Sequence, residues 1–542
     1  MAWERLVFNV GVVTGTDAKR QMQTVHHPDP RTSTCVCSVS QSRQIARSTC
    51  LSFTHLGDDM SYDWAALERD LRRLLPARGV VSKRQELLSY DCDGLTLERQ
   101  CPPLAVLPET TEQVAAVLRC CDAHSIPFVA RGSGTGLSGG ALVDEEALLV
   151  VTSRMRNVLE LDLANHRVTV QPGVINSWVT RAVAGDGFYY APDPSSQVVC
   201  SIGGNVAENS GGVHCLKYGV TSNHVLGLEV VLPDGSITQL GNGLAESQEL
   251  DLRGAFIGSE GTLGIATAIT LRLLRAPECV NVLLADFETM EAAGEAVRAV
   301  TAAGLLPAGM EIMDNVTINA VNDFFGYDEY PRDAAAVLLI ELDGQEAEVQ
   351  ASAERAEQLC RGAGARGLRR AEDPTECAVL WKGRKSAFSA VGKITPTYYV
   401  QDGVVPRSSL PLVLAAIERL SQEHGLPVAN VFHAGDGNLH PLILYSAAEP
   451  NAEQRVKDLG AAILKECLAV GGSISGEHGV GADKRCYLDW MFEPEDLHTM
   501  GLLRRAFDPD NRANPGKVLP TPRTCGESAK RSVTLQSTVE LF

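Results

Sequence analysis

The chain has 542 residues, of which 44% are hydrophobic and 21% are charged, as in a globular protein long enough for about two to four domains. A formal net charge of −19 argues against a protein that binds nucleic acid or an anionic membrane surface. No run of 18 apolar residues occurs, so no membrane span is predicted. The 15 cysteines are scattered without a Cys-x-x-Cys motif, which favours the cytoplasm and argues against an iron–sulfur cluster in this chain.

The two ends of the chain differ in composition from the part between them. Residues 1–59 are rich in Ser, Thr, Gln, Arg and His, which is typical of a transit peptide or of an upstream-misassigned start before Met60. We favour the misassigned start, because the regular pattern begins at Tyr62. Residues 523–542 are predicted to be a disordered tail.

Helices and short strands alternate through the rest of the chain. Apolar residues at helical spacing predict helices over residues 63–75, 111–124, 290–303 and 346–363. Short β-type runs predict strands within residues 126–130, 147–152, 166–173, 225–240, 261–274 and 335–342. The fold class is therefore α+β, with a second α+β domain after about residue 277.

A glycine-rich loop runs from residue 131 to residue 140 and has five glycines. Without a Cβ, its backbone N–H groups approach a diphosphate closely, and its arginine and hydroxyl groups add donors. Its Gly-x-Gly-x-x-Gly spacing also matches the nicotinamide dinucleotide fingerprint, which opens a helix. Here the loop leads into the strand at 147–152, so that interpretation fails on context. The predicted cofactor residues of this loop are Arg131, Gly132, Ser133, Gly134, Thr135, Gly136, Ser138, Gly139 and Gly140.

Two further loop regions, residues 192–212 and 258–264, are also rich in glycine and lie among short strands. One such loop alone is commonly a tight surface turn. Three together favour a groove that holds a diphosphate and a ring system. The predicted cofactor residues of these regions are Pro192, Ser196, Gly203, Gly204, Asn205, Glu208, Asn209, Gly211, Glu260, Gly261, Gly264 and Ile265.

Two histidines flank the dipeptide Asp436-Gly437 in the segment VFHAGDGNLHP. That dipeptide favours a two-residue hairpin turn, whose register places His433 opposite His440 with Cβ atoms about 4.5–5.5 Å apart. Both imidazoles then converge on one metal ion. A hydrogen-bonded pair of core histidines remains an alternative, and a longer loop weakens the symmetry argument.

The segment SGEHGVG, residues 475–481, adds Glu477 and His478 in a glycine-rich turn. Two histidines and a carboxylate suit Zn²⁺, Mn²⁺ or Fe²⁺ and leave coordination positions open for substrate. A third segment, WKGRK, offers Arg384, whose planar guanidinium binds a carboxylate in a bidentate manner. A solvated charge cluster is the alternative there, and the role of Lys385 stays open.

Together, RGSGTGLSGGA, PDPSS, SIGGNVAENSGG and GSEGTLGI resemble the FAD-binding domain of the vanillyl-alcohol oxidase type. The remainder resembles the FAD-linked oxidase C-terminal domain, in the manner of glycolate oxidase catalytic (D) subunits. The resemblance covers about residues 80–520. It implies an FAD-binding domain over residues 60–276, followed by an α+β substrate domain with a C-terminal helical segment over residues 277–522. FAD is expected to be non-covalent, because the first loop has no histidine for attachment.

The resemblance also implies roles for single residues: His433, His440 and Glu477 as metal ligands, His478 as catalytic base and Arg384 as carboxylate clamp. The implied reaction oxidises a small 2-hydroxy acid. The metal polarises the hydroxyl, His478 takes its proton, and the C2 hydride moves to flavin N5. The expected electron acceptor is an iron–sulfur or second flavin subunit, a quinone or a cytochrome. The protein itself is expected in the cytoplasm, or at the surface of a membrane to which partner subunits attach it.

Three positions narrow the expected substrate. Relatives that act on 2-hydroxyglutarate carry polar residues where this chain has Leu442, Phe388 and Val400. An apolar pocket disfavours a second carboxylate, so glycolate is expected, with D-lactate as the alternative. A metal-dependent hydrolase, a non-catalytic FAD-binding subunit and an oxidase that uses O₂ directly are further alternatives.

Overall fold

The computed structural model describes residues 62–143, 146–241 and 250–520. The predicted extension at 1–59 and the predicted tail at 523–542 lie outside the described residues. The described chain forms two bodies of mixed helix and strand, and the change of sheet falls between Arg275 and Cys279.

The first body begins with a small four-stranded sheet. Its strands, in spatial order, are Val80–Val81, Ala105–Val106, Leu148–Val151 and Phe128–Arg131. The last three run parallel, and the helices Trp64–Leu74, Arg84–Leu87 and Thr111–Ala123 accompany them. The glycine-rich loop starts directly at the end of Phe128–Arg131, so the carboxyl edge of this sheet presents it.

A five-stranded antiparallel sheet completes the first body. Its strands, in spatial order, are Val158–Asp162, Arg167–Val170, Ile265–Arg272, Val225–Val231 and Ile237–Leu240. The helices Asn176–Val183, Ile202–Glu208, Cys215–Tyr218 and Leu252–Phe256 and the strand pair Phe188–Tyr189 and Leu274–Arg275 fill the connections. A turn at Pro233–Gly235 joins the last two of these strands, and Gly235 takes a left-handed φ of 78° there.

The second body is built on one large, mainly antiparallel sheet. Its strands are Gly367–Arg370, Cys279–Phe287, Ala336–Gly344, Gly309–Asp314, Val428–His433, Asn438–Leu439, Gly403–Val404, Thr397–Val400 and Pro441–Tyr445. The helices Met290–Ala302, Asn315–Phe325, Glu346–Gly362, Pro374–Val391, Leu410–His424 and Ala452–Ala469 cover its faces, and Pro494–Phe507 follows near the C-terminus. Most apolar residues of the sheet are buried in two cores, with adjacent residues of a strand alternating between them, as period-two patterning requires.

The predicted helices are confirmed within one or two residues at each end. Thr110 caps the helix Thr111–Ala123 by accepting a hydrogen bond from the Gln113 N–H at 3.3 Å, because the first amides of a helix lack internal partners. Within the described residues, no helix is both long and apolar enough to cross a membrane.

The last described residues pack against the first body, although they follow the second body in the sequence. The Phe128 N–H donates to the Arg512 carbonyl at 2.9 Å, and the Asn514 N–H donates to the Phe128 carbonyl at 2.8 Å. The Asn514 side-chain amide also donates to the carbonyls of Gly140 and Glu260, at 2.9 and 2.7 Å. The C-terminal segment therefore ties the cofactor loops to the second body.

The two bodies also meet through charged side chains. His214 lies between Asp193 of the first body, at 2.9 Å, and Glu341 of the second, at 2.8 Å. Burial alone lowers the pKa of His214, but these two carboxylates outweigh it and raise the pKa to about 11. His214 is thus a charged bridge across the domain boundary at neutral pH.

Candidate active site

A deep cleft lies where the three predicted cofactor loops meet the second body. Its cavity volume of about 380 Å³ lies within the roughly 300–1,000 Å³ of small-molecule and cofactor sites. The predicted cofactor residues that line it are Arg131, Gly132, Ser133, Gly134, Thr135, Gly136, Gly140, Ser196, Gly203, Gly204, Asn205, Glu208, Gly211, Glu260, Gly261, Gly264 and Ile265. The cleft therefore has the glycine-rich wall that a dinucleotide needs.

Glycine is required at two points of the first loop. Gly134 has a φ of 70°, and a Cβ there would collide with the Arg131 guanidinium. A Cβ at Gly132 would collide with the Ser201 hydroxyl, which belongs to the second loop. The two loops are thus in direct contact, and the absence of side chains keeps their backbones exposed to the cleft.

Several buried donors at this wall have no hydrogen-bond partner among the described residues. They are Arg131 Nη1, Ser201 Oγ and Ser259 Oγ. Buried polar atoms are normally paired, so an unpaired set of donors marks a place where a bound anion supplies the acceptors. The residues of the cleft therefore fit the diphosphate of FAD.

Four predicted cofactor residues stand behind the wall and support it. The Ser138 carbonyl accepts from the Ala482 N–H at 2.9 Å, and Gly139 follows with a φ of 75°. The Pro192 carbonyl accepts from the Asn176 amide at 3.0 Å, and the Asn209 side chain accepts from the Ser222 N–H at 2.8 Å. These residues fix the loops from outside the cleft.

The predicted metal ligands come together at the opposite wall. Glu477 Oε1 lies 3.3 Å from His433 Nε2 and 3.2 Å from His440 Nε2. The three ligand atoms lie within 4.8 Å of one another, and both histidines are only 2% exposed. Two imidazole nitrogens and one carboxylate oxygen, all buried and convergent, fit a divalent metal ion.

A buried carboxylate not predicted from the sequence, Glu311, orients the first of these ligands, His433. Glu311 Oε1 lies 2.7 Å from His433 Nδ1, which leaves Nε2 directed at Glu477. Metal-binding histidines commonly have such a carboxylate on the other ring nitrogen. Glu311 also accepts a hydrogen bond from Arg384 Nε at 2.8 Å. Arg384 thereby completes a buried series of groups that runs from the helix Pro374–Val391 to His433.

The charges of this cluster balance one another. Burial lowers the pKa of His433, but Glu311 and Glu477 outweigh it and raise the pKa well above the usual value. Burial raises the pKa of Glu477, but the charge of His433 outweighs it and holds the pKa well below the usual value. A metal ion that displaces the imidazole protons would supply the positive charge that this carboxylate now receives from them.

The hairpin register differs from the prediction. His433 pairs with Asn438, not with His440, so residues 434–437 form a longer loop than the predicted two-residue turn. The backbone on both sides of the loop forms hydrogen bonds with neighbouring strands and not across a tight turn. The Gly435 N–H donates to the Met310 carbonyl at 3.2 Å, and Leu439 pairs with Gly403. The imidazoles still converge, with ring centroids 5.0 Å apart. A register offset of two residues leaves His440 on the same face as His433.

His478 stacks on His440, with ring centroids 4.7 Å apart and an angle of 13° between the planes. Its backbone N–H donates to Asp402 Oδ2 at 2.9 Å. Asp402 is fully buried, and it forms a second cluster of metal-ligand type with His440 and His478. Asp402 is not predictable from the sequence, because no ligand-like spacing connects it to either histidine.

One face of the helix Pro374–Val391 lines the cleft with Lys385, Phe388 and Ser389. Arg384 is on another face, only 2% exposed and bound to Glu311. Leu442 and Val400 pair with each other in the sheet and are buried in its core, away from the cleft wall. Of the three positions that were expected to shape the substrate pocket, only Phe388 therefore faces the cleft.

Comparison with known proteins agrees with this geometry. Residues 102–241 match the family of FAD binding domains, and residues 276–518 match that of FAD linked oxidases, C-terminal domain. Among solved structures, p-cresol methylhydroxylase superposes with a TM-score of 0.71 at 17% identity, over 84% of this chain and 96% of that one. 4-Ethylphenol oxidase from Gulosibacter chungangensis gives 0.70 at 19%, over 85% and 98%. Fold and cleft together define an FAD-linked oxidoreductase with a vanillyl-alcohol-oxidase-type FAD-binding domain.

Proteins similar in sequence over most of the chain define the family more narrowly. Glycolate oxidase subunit GlcD of Escherichia coli K12 is 49% identical over 457 residues, which cover 84% of this chain and 91% of that protein. The GlcD subunit of Bacillus subtilis is 39% identical, over 80% and 92%. A D-lactate dehydrogenase of Anaerostipes hadrus is 33% identical, over 77% and 89%. The chain belongs to the family of FAD-linked oxidases that contains the GlcD subunits.

Proposed function

We propose that the protein oxidises glycolate to glyoxylate, with non-covalent FAD as hydride acceptor and a divalent metal at His433, His440 and Glu477. One observation carries this proposal: the three glycine-rich loops line the same cleft as His440, Glu477 and His478. Glycolate is preferred among 2-hydroxy acids because the two GlcD relatives are subunits of glycolate oxidases.

The residues of the chain divide the work of this reaction. When bound, FAD supplies the hydride acceptor and the metal supplies a Lewis acid for the substrate hydroxyl. His478 takes the hydroxyl proton as general base, with its ring held by stacking on His440. Glu311 and Arg384 hold His433 in place from behind.

The substrate carboxylate needs a cation in the cleft. Arg384 was predicted for this role, but its side chain is buried and donates to Glu311. Lys385 is the neighbouring cation that lines the cleft, and its ammonium group lies 5.9 Å from the centre of the Trp381 ring. We therefore assign carboxylate binding to Lys385 and the support of Glu311 to Arg384.

The Lys385→Met variant should raise the KM for glycolate about 10- to 100-fold and change kcat less than about threefold. A hydrogen bond to a charged group contributes about 1.5–3 kcal/mol, and Lys385 binds a part of the substrate that does not react. Steady-state kinetics with a dye acceptor measures both constants. Lys382→Met is the matched control on the same helix, because the Lys382 ammonium lies 4.7 Å from the Phe325 ring centre. An unchanged KM in Lys385→Met would show that Lys385 does not bind the substrate carboxylate, which would leave Arg384 as the candidate.

D-lactate is the second candidate substrate, favoured by the 33% identity to the Anaerostipes hadrus enzyme. The dye-coupled kcat/KM values for glycolate and D-lactate decide between them, with glyoxylate or pyruvate identified as product. A higher value for D-lactate would replace glycolate in the proposal. We propose an iron–sulfur or second flavin subunit as electron acceptor, with a quinone or a cytochrome as the other candidates, because the GlcD relatives are themselves named as subunits.

A further inference from the structure

The loop at residues 475–481 carries Glu477 and His478, and two buried carboxylates bind its backbone. The first is Asp402, from the second body. Asp402 Oδ2 accepts from the N–H groups of His478 at 2.9 Å, of Gly476 at 3.1 Å and of Glu477 at 3.3 Å. The first half of the loop thus wraps around one carboxylate of its own domain.

The second carboxylate belongs to the other domain. Glu260 lies in the third glycine-rich loop, and its two oxygens accept from the N–H groups of Val480 and Gly481, each at 2.7 Å. Its side chain is buried, with 4% of the residue exposed. Charge-assisted hydrogen bonds of this length are stronger than neutral ones. Both oxygens of Glu260 therefore accept hydrogen bonds from the loop.

The backbone of Glu260 is held in an uncommon conformation. Its φ of 53° lies in the left-handed region, which costs energy for a residue with a Cβ. The Glu260 N–H donates to the Ala207 carbonyl at 2.8 Å, and the Glu260 carbonyl accepts from the Asn514 amide at 2.7 Å. Strain of this kind persists where the surrounding structure imposes it, commonly at functional sites. Here it directs the carboxylate across the domain boundary.

A neighbouring carboxyl group supports this arrangement. Burial raises the pKa of Glu208 well above the usual value, and the charge of Glu260 adds to the effect. Burial also raises the pKa of Glu260, to about 7, and the two loop amides limit that rise. Of the two, Glu208 holds a proton more firmly, so Glu260 is the member that carries charge towards the loop.

We propose that Glu260 is a positioning residue: it fixes the loop of Glu477 and His478 against the cleft, so that the FAD-binding domain itself sets where the base stands. Asp402 holds the same loop from the substrate domain, and the two carboxylates together bind five of its backbone amides. The kinetic consequence rests on the proposed function, whereas the contact does not.

The test uses the flavin-loaded full chain with Glu260→Gln, which replaces one accepting oxygen by an amino group. Hydrogen–deuterium exchange of peptides that cover residues 475–484 should accelerate at least about tenfold at the Val480 and Gly481 amides. The limiting rate of anaerobic flavin reduction by glycolate should fall about 10- to 100-fold, since small displacements of catalytic groups have effects of this size. The rate is taken per bound flavin, and the Kd for glycolate should change little.

The matched control is Glu229→Gln in the same domain. Glu229 accepts three side-chain hydrogen bonds, from Thr111 at 2.7 Å, Thr267 at 3.0 Å and Gln239 at 3.2 Å, all outside the loop. Should Glu260→Gln not fold, Glu260→Asp serves, because it keeps the charge but shortens the reach. Unchanged amide protection overturns the proposal, and so does lost protection with an unchanged rate. A wild-type enzyme that no 2-hydroxy acid reduces overturns the proposed function alone, and the exchange comparison still decides on the contact.

Discussion

The His478→Ala variant should bind FAD normally and reduce it about 10²- to 10⁴-fold more slowly than the wild-type protein when glycolate is added. A general base in hydrogen-bond reach of its proton contributes a factor of this size. FAD binding should persist because the buried donors and glycine-rich loops of the opposite wall hold the cofactor. Stopped-flow absorbance under anaerobic conditions measures the reduction rate directly.

The loop itself should survive this substitution. Alanine keeps the backbone N–H that donates to Asp402, so the position of Glu477 is preserved. Metal content should therefore equal that of the wild-type protein, which separates loss of the base from loss of the metal. A reduction rate within about threefold of the wild-type rate would show that another group takes the proton.

Loss of the metal site should have an effect of similar size. His433→Ala should leave less than one tenth of the wild-type metal content and lower kcat/KM about 100- to 1000-fold. A Lewis acid at the substrate hydroxyl contributes several kcal/mol, and each 1.4 kcal/mol is about tenfold in rate. Metal analysis of the purified protein and dye-coupled kinetics measure the two quantities together.

The remaining partners make this variant interpretable. When His433 is removed, Glu311 keeps its buried ion pair with Arg384, so no unpaired charge is left in the core. His498→Ala, on the exposed face of the helix Pro494–Phe507, is the matched control. Wild-type protein that turns over normally after dialysis against a chelator, with no metal left, would contradict a Lewis-acid role.

The cofactor loops were predictable because their chemistry is local. Gly134 takes a left-handed φ, and Gly132 lies close to the Ser201 hydroxyl of the neighbouring loop, so glycine spacing alone marks these loops in the sequence. The convergence of His433 and His440 was predicted as well, although by a register that is wrong. The wrong register had little effect, because an offset of two residues keeps both histidines on one face of the sheet.

The groups that orient the ligands could not be predicted in the same way. Glu311, Asp402 and Glu260 act on residues far away in the sequence, and only the fold brings them there. The side-chain direction of Arg384 depends on that fold too, because its partner Glu311 lies on the distant strand Gly309–Asp314. The same applies to Leu442 and Val400, which the pairing of three strands turns into the core. Sequence patterns identified the reacting groups better than the groups that hold them.

The most direct test of the proposed chemistry is an anaerobic titration of the purified, flavin-loaded protein with glycolate, followed by the absorbance of the oxidised flavin. We expect a yellow protein whose flavin bleaches in proportion to the glycolate added, with glyoxylate as product. The flavin should bleach less readily with D-lactate and should not bleach with 2-hydroxyglutarate. A protein without flavin absorbance, or a flavin that stays oxidised with every one of these acids, would contradict the proposal.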